Sequence, residues 1–206
     1  MIELERNGNV WLATIARPDK ANALTKEMRA ELAAITRRAS AEGAGALILT
    51  GAGKVFCSGA DLDEARAGLA TDPVWEELSG AIAAAPMLTV AALNGTLAGG
   101  ACGMVLACDL RIAVASAKVF YPVMKLGFLP QPSDPARLVR LVGPARAKMI
   151  LMAGARIEAP EALAWGLLDR LVEPGALIDT AMELVADACA AKDGLPEAIK
   201  RMIDAG

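Results

Sequence analysis

A long stretch without a charged residue, residues 78–108, constrains the fold of this chain more than any other feature. A run of this length is sufficient in principle to cross a bilayer as a helix. Pro86 and the pairs Asn94-Gly95 and Gly99-Gly100 divide it, however, into pieces that are each too short to span. The pattern predicts a buried strand at 88–93, then a turn, then a buried helix from about Gly99. We therefore expect a large apolar interior and no membrane span.

Strand-like and helix-like segments alternate along the rest of the chain. Residues 10–16 and 46–50 have the short apolar pattern of buried strands, and Thr25 is placed to cap a helix that runs to about Ser40. Alternation without an internal repeat is typical of α/β proteins. We predict one α/β domain over residues 1–206 with a C-terminal helical region from about 135. Further segments are predicted as strands at 110–115 and 168–172, and as helices at 61–69, at 136–153 and from about 160 and 175.

Composition excludes several kinds of chemistry. The chain has no histidine, which excludes Ser-His-Asp and Cys-His catalysis, histidine-ligated metals and a histidine general base. A net charge of -3 and 3% aromatic residues provide neither a basic surface nor a stacking platform for nucleic acid. The N-terminal segment carries acids and no apolar core, so we do not expect a signal peptide. The cysteines lack C-x-x-C spacing, so we expect no metal site and buried thiols in a reducing cytoplasm: Cys57, Cys102, Cys108 and Cys189.

Two glycine-containing segments each lead from a strand into a helix: residues 54–62 (KVFCSGADL) and residues 94–103 (NGTLAGGACG). Small residues there let a backbone N–H point at a ligand from near a helix N-terminus, where the dipole favours negative charge. The spacing fits equally well with tight turns in which glycine supplies only backbone freedom. Neither segment matches G-x-G-x-x-G or a Walker loop, so those modes of nucleotide binding are not predicted.

The order of the motifs resembles the enoyl-CoA hydratase/isomerase (crotonase) superfamily over about residues 2–200. Each motif is weak alone, but the ordered set is specific. The resemblance implies a spiral of ββα units with C-terminal helices that binds an acyl-CoA thioester. The matching segments are RPDKANAL from Arg17, FCSGADL from Phe56, NGTLAGG from Asn94, CD at Cys108, GPARA from Gly143 and WGLLD from Trp165.

The resemblance also implies a site. Family members hold the thioester oxygen between two backbone N–H groups, which by position are those of Ala60 and Gly100. Such donors stabilise an enolate or tetrahedral oxyanion, each by roughly 2.7–4 kcal/mol in the transition state. Coenzyme A is part of the substrate, so no separate cofactor is implied. The candidate coenzyme A contacts are Lys20, Ala21, Ala23, Lys54, Asp61 and Leu62, with Lys118 as a further cation.

Two of these contacts have simpler interpretations. A single lysine, such as Lys54, is more often a solvated surface charge than a ligand contact. Asp61 stands where a residue would cap the helix that follows it, which is a commoner role for aspartate than chemistry.

The chain departs from the family at the two positions that carry acids in its hydratases. One lies three residues past the oxyanion glycine and the other just after the proline that follows the next strand; here they are Gly103 and Val123. Hydration of an enoyl thioester requires one carboxylate to activate water and one to protonate the α-carbon. Ordinary hydratase activity is therefore not expected.

An acid from elsewhere in the pocket would have to replace them. Asp134 is the only ionisable residue between positions 127 and 135, although it is also placed to cap a helix that begins at Pro135. Cys102 lies beside the oxyanion segment, but without a base it is predicted to pack. The weaker alternatives are Asp63, Glu64 and Tyr121.

Two functions from different classes remain. One is an acyl-CoA enzyme of lyase or isomerase type in fatty acid metabolism that stabilises a thioester enolate or oxyanion, with isomerase, thioester hydrolase and decarboxylase activity all left open. The other is a catalytically silent acyl-CoA-binding or assembly subunit that kept the fold and lost the glutamates. The resemblance implies a homo-oligomer, a trimer or a dimer of trimers, and a C-terminal helical region shorter than in many relatives.

Overall fold

Two sheets form the frame of the molecule in the computed structural model, which describes residues 1–192 and 194–205. The first has six strands in the spatial order β1-β2-β3-β5-β7-β10, with only the β1–β2 pair antiparallel. Its strands are β1 (Ile2–Asn7), β2 (Val10–Ile15), β3 (Ala46–Gly51), β5 (Leu88–Leu93), β7 (Leu110–Val114) and β10 (Arg170–Val172). The second has the order β4-β6-β8-β9 and contains β4 (Val55–Cys57), β6 (Thr96–Ala98), β8 (Lys118–Phe120) and β9 (Ile157–Glu158).

Three consecutive strand pairs build a spiral. In each of the pairs β3/β4, β5/β6 and β7/β8, the first strand joins the six-stranded sheet and the second joins the four-stranded sheet. Helices follow the pairs, so the ββα units and the α/β class are confirmed. These helices are α2 (Leu62–Arg66), α3 (Val74–Ala83), α4 (Cys102–Leu106) and α5 (Val123–Leu126), while α1 (Lys26–Ala41) follows β2.

The uncharged stretch lies in the centre of the core, as predicted. β5 has the predicted bounds, and a 3-10 turn at Gly99–Ala101 leads into α4. Residues 90–93 have no exposed surface, because this strand is covered on both faces. Within residues 1–192 and 194–205, no helix is long and apolar enough to cross a membrane.

Several elements were not predicted from the sequence, among them β1 and α3. β1 is an edge strand whose side chains are mostly exposed and polar, so its sequence has little of the apolar pattern from which a strand is predicted. α3 buries Trp75, Leu78 and Ile82, a helical spacing, and Asp72 Oδ1 accepts a hydrogen bond from Val74 N at 2.9 Å. The helix predicted at 61–69 is shorter, since α2 ends at Arg66.

The C-terminal region is helical from residue 134. α6 (Asp134–Leu151) has a kink at Gly143, whose φ of 77° and ψ of 166° interrupt the helix before Pro144. Three further helices follow: α7 (Ala159–Trp165), α8 (Leu177–Ala190) and α9 (Leu195–Asp204). Asp193 and Gly206, which the domain prediction includes, lie outside the described residues.

The CD motif ties the sheet to the last helix. Asp109 accepts hydrogen bonds from the backbone N and the hydroxyl of Thr89 at 2.8 and 2.9 Å, and from Lys200 Nζ at 2.7 Å. This part of the family resemblance therefore has a structural role.

The cysteines are free thiols, and three of them are buried. Burial raises the pKa of Cys57 and Cys108 to about 12, so both are protonated at neutral pH. Cys189 is only partly buried, which differs from the prediction. The cytoplasmic location stays a prediction.

Four large apolar side chains near α5 are exposed. Such a patch is of the kind that contacts between subunits cover. The predicted homo-oligomer stays a prediction. The residues are Met124, Leu126, Phe128 and Leu129.

Candidate active site

Asn22 joins the loop after β2 to the turn between β3 and β4. Its buried side chain accepts a hydrogen bond from Arg17 N at 2.9 Å and donates to the carbonyls of Ala52 and Val55 at 2.9 and 2.7 Å. These bonds hold Ala21 and Asn22 at φ values of 50° and 56°, in the left-handed region that residues other than glycine rarely adopt. Strain of this kind is typical of functional loops.

The loops that carry most of the predicted coenzyme A contacts are therefore neighbours. A Cβ at Gly53 would lie 3.2 Å from Pro18 Cβ, and Lys20 and Lys54 are both exposed on these two loops. Leu62, at the start of α2, is 73% exposed. Lys118 lies apart from them, since its Nζ is 2.9 Å from Glu158 Oε1 on the four-stranded sheet.

The two residues that flank Ala60 are hydrogen-bonded to Leu24, whereas the Ala60 amide takes no part in this pairing. Leu24 N donates to Gly59 O at 2.8 Å, and Asp61 N donates to Leu24 O at 2.9 Å. In a parallel bridge of this kind, the residue between the two bonded ones, here Ala60, directs its own N–H away from the opposite strand. The Ala60 N–H thus points away from Leu24.

Close backbone contact places the Gly100 amide next to Gly59, the chain neighbour of Ala60. A Cβ at Gly59, where φ is 103°, would lie 3.1 Å from Ala98 O and 3.6 Å from Gly100 N. Only glycine fits such an approach. Gly100 lies in the 3-10 turn Gly99–Ala101 that leads into α4, and backbone N–H groups in a first turn have no partner within the helix.

Trp75 of α3 covers the other side of Gly100. A Cβ at Gly100 would lie 2.8 Å from Trp75 Cζ2, so the indole packs directly on this backbone. Trp75 Nε1 donates to Leu69 O at 2.9 Å, which fixes the ring.

Asp61 is engaged in the helix and in an ion pair. Its Oδ1 accepts from the backbone N of Asp63 and of Glu64 at 3.1 and 3.3 Å, which confirms the predicted cap of α2. Its Oδ2 lies 2.7 Å from Arg17 Nη1, and that hydrogen bond holds the pKa of Asp61 below its usual value.

Asp134 is buried beside Gly103 of α4. Its side chain is 1% exposed, and Oδ2 accepts a hydrogen bond from the Tyr121 hydroxyl at 2.9 Å. Burial raises the pKa of Asp134 to about 6, opposed by the Tyr121 hydrogen bond and by Arg137, whose Nη1 is 3.8 Å from Oδ1. The prediction that Asp134 caps α6 is wrong. Ser133 is the N-cap residue, and the Asp134 carboxylate turns inward.

The Asp134 carboxylate occupies the space beside Gly103. A Cβ built at Gly103 would lie 2.7 Å from Asp134 Oδ1 and 3.0 Å from Oδ2. A side chain at position 103 would therefore begin where this carboxylate now sits.

Glu76 of α3 is a site residue that the sequence analysis missed. Its carboxylate accepts from Ser133 N at 3.0 Å and from the Ser133 hydroxyl, so it closes the N-terminus of α6 directly before Asp134. The signal was present in the sequence, because Trp75 and Glu76 follow the helix-start pair Asp72-Pro73.

The other candidate side chains have local partners. Asp63 pairs with Arg66 at 3.3 Å, and Glu64 accepts a hydrogen bond from Lys26 N at 2.6 Å. Burial raises the pKa of the Cys102 thiol well above its usual value, which favours packing over nucleophilic attack.

Comparison with known proteins gives the same relationship along nearly the whole chain. Residues 5–205 match the family described as "Enoyl-CoA hydratase/isomerase". This chain belongs to the enoyl-CoA hydratase/isomerase family. It is 35% identical over 192 residues to the short-chain-enoyl-CoA hydratase of Clostridium acetobutylicum, a match that covers 88% of this chain and 72% of the relative. It is 31% identical over 185 residues to the 1,2-epoxyphenylacetyl-CoA isomerase of Escherichia coli, covering 85% and 71%.

The fold agrees with solved structures of the same family. The enoyl-CoA hydratase of Bacillus anthracis superimposes with a TM-score of 0.92 at 31% identity and covers 98% of this chain and 82% of that chain. The expected enoyl-CoA hydratase/isomerase fold is confirmed.

Proposed function

We propose that this chain binds acyl-CoA thioesters, stabilises the thioester enolate with the amides of Ala60 and Gly100, and moves the α-proton with the carboxyl group of Asp134. Relatives named as acting on enoyl-CoA and epoxyphenylacetyl-CoA support the substrate class. Support for the enolate comes from the Ala60 N–H, which points away from Leu24, and from Gly100 N, which lies close to Gly59. A preorganised pair of N–H donors stabilises the charge that develops on the thioester oxygen.

One observation carries the role of Asp134. Its carboxylate fills the space at Gly103, the position where the family's hydratases carry an acid. The carboxylate at this position thus belongs to a residue of α6 that is distant in sequence, instead of to a residue of α4 itself.

The surroundings of Asp134 suit a proton carrier. With a pKa of about 6, roughly one tenth of the carboxyl is protonated at pH 7, so both forms are accessible. The carboxylate takes the α-proton, the C–H electron pair moves into the enolate, and the same proton or one from solvent returns. Val123 offers no second carboxylate, so this site favours proton transfer of the isomerase type over addition of water.

Exchange of the α-proton in D₂O tests this function directly. The chain is incubated with short, unsaturated and aromatic acyl-CoA thioesters, and deuterium at the α-carbon is followed by mass spectrometry. We expect exchange with at least one of them, and Asp134→Asn should slow it about 10²–10⁴-fold. The exposed Asp63→Asn serves as the matched control and should leave the rate unchanged. Unaltered exchange in a folded Asp134→Asn variant would exclude Asp134.

A specific observation favours the silent subunit as a second candidate. Asp134 is 1% exposed, so an acyl group reaches Oδ1 only if neighbouring side chains move. A groove of about 930 Å³ does exist between α6, α8 and α9, but Ala60, Gly100 and Asp134 do not line it. Binding of acyl-CoA without any exchange in D₂O would select this candidate.

A further inference from the structure

Arg29 of α1 is a buried cation that lacks an ionic partner. Its side chain has no exposed surface, and its Nη2 donates to Leu24 O at 2.6 Å. Over residues 1–192 and 194–205, neither Nε nor Nη1 of Arg29 has a hydrogen-bond partner, and no carboxylate lies within ion-pair distance. An unpaired charge in the interior is costly, so its presence requires a reason.

The acids whose charge acts on Arg29 have other partners, and among them Glu64 accepts a hydrogen bond from Lys26 N at 2.6 Å. Asp61 pairs with Arg17 and Asp72 pairs with Lys26, each at 2.7 Å. Burial lowers the pKa of Arg29 to about 10, which leaves the guanidinium charged at neutral pH. The positive charge of Arg29 is therefore not balanced by a direct contact.

One face of Arg29 supports the Ala60 amide. The Leu24 carbonyl that accepts from Arg29 also accepts from Asp61 N, and Leu24 N donates to Gly59 O. Leu24 thus holds both neighbours of Ala60, and Arg29 holds Leu24.

The other face supports the Gly100 amide. Arg29 Cζ lies 3.5 Å from the centre of the Trp75 ring, in a cation–π contact. The same ring packs on the Gly100 backbone. A single cation therefore contacts the supports of both amides.

We propose that Arg29 is a positioning residue of the oxyanion hole, which holds Leu24 and Trp75 in place and adds its unpaired positive charge to the field at the thioester oxygen. This inference rests on the proposed function. In a water-excluded interior such a charge acts over longer distances than in water, and it needs no reorganisation when the enolate forms.

A purely structural role predicts different behaviour. Replacing a buried charge by an apolar side chain of similar size is often neutral or stabilising. If Arg29 only fills space, Arg29→Met should therefore keep both stability and site properties. If Arg29 polarises the site, Arg29→Met should fold and yet polarise a bound thioester less.

The ultraviolet spectrum of bound cinnamoyl-CoA measures this polarisation without turnover. Hydrogen bonding at the thioester oxygen moves the absorption of the conjugated acyl group to longer wavelength. We expect a red shift in the wild type, most of it retained in Arg29→Lys, and at least half of it lost in Arg29→Met and Arg29→Gln. The α-proton exchange rate should fall about tenfold in the neutral variants, with KM changed less than twofold.

The variants separate the outcomes. Arg29→Gln keeps a polar side chain with N–H donors, although a shorter one, and loses the charge, so it tests the charge even if Arg29→Met does not fold. An unchanged red shift in either folded neutral variant, or failure of both to fold, would overturn the role of Arg29. Absence of any red shift in wild type that binds cinnamoyl-CoA would instead contradict the proposed oxyanion hole.

Discussion

The amides of Ala60 and Gly100 depend on backbone geometry within two short segments, whereas the Asp134 carboxyl depends on side chains from several elements. The first pair is placed by the bridge to Leu24 and by contact between glycine backbones. The second is placed by Tyr121 and by the Glu76–Ser133 contact. A backbone N–H is retained when the side chain of its own residue changes, proline excepted, while a buried carboxyl is lost with its side chain and responds to each of its neighbours.

Removal of one backbone donor should have the largest effect. Ala60→Pro deletes the N–H that we assign to the proposed oxyanion hole, and we expect acyl-CoA exchange to fall about 10²–10³-fold. Ala60→Gly retains that N–H and should change the rate only a few-fold. Circular dichroism verifies that both variants are folded. Equal rates for the two would show that this amide takes no part.

Replacing Asp134 should reveal the energetic cost of burying it. The folded pKa of about 6 lies above the usual 3.8, so the native state binds the proton more tightly than the unfolded state. The wild type therefore loses stability as the pH rises from about 4 to 6. Asp134→Asn should be more stable by up to roughly 3 kcal/mol above pH 6 and should lose this advantage below pH 4. Urea unfolding at pH 4, 6 and 8 measures the difference, and a pH-independent difference would contradict the burial of a titrating carboxyl.

We expect the smallest effects from replacing Tyr121 and Glu76, which should shift the pKa of Asp134 in opposite directions. Tyr121→Phe removes a hydrogen bond that favours the charged form, so the pKa of Asp134 should rise and the exchange rate should reach half its maximum at higher pH. Glu76→Gln removes a like charge and should move that midpoint to lower pH. The pH dependence of exchange is measured for both. Midpoints that move in the same direction would show that a different group controls the rate.

Local sequence patterns predicted the parts of the fold that local chemistry determines. The cap at Thr25 is present, since its hydroxyl accepts a hydrogen bond from Met28 N, and β5 has its predicted bounds. The positions of Ala60 and Gly100 came from ordered motifs. The contact between Gly103 and Asp134 was not predictable in this way, because folding alone brings these residues together. The same holds for Glu76 and Ser133.

The occupation of the space at Gly103 by Asp134 also has a consequence for substitutions at these two positions. A substitution Gly103→Glu would place a second acid against a carboxyl that Tyr121 holds in position, so this single step adds repulsion and a steric clash. A smaller side chain at position 134 would vacate the space that a residue at position 103 needs. We therefore expect the two positions to be coupled: Gly103→Glu should destabilise the protein on its own and much less when residue 134 carries a small side chain.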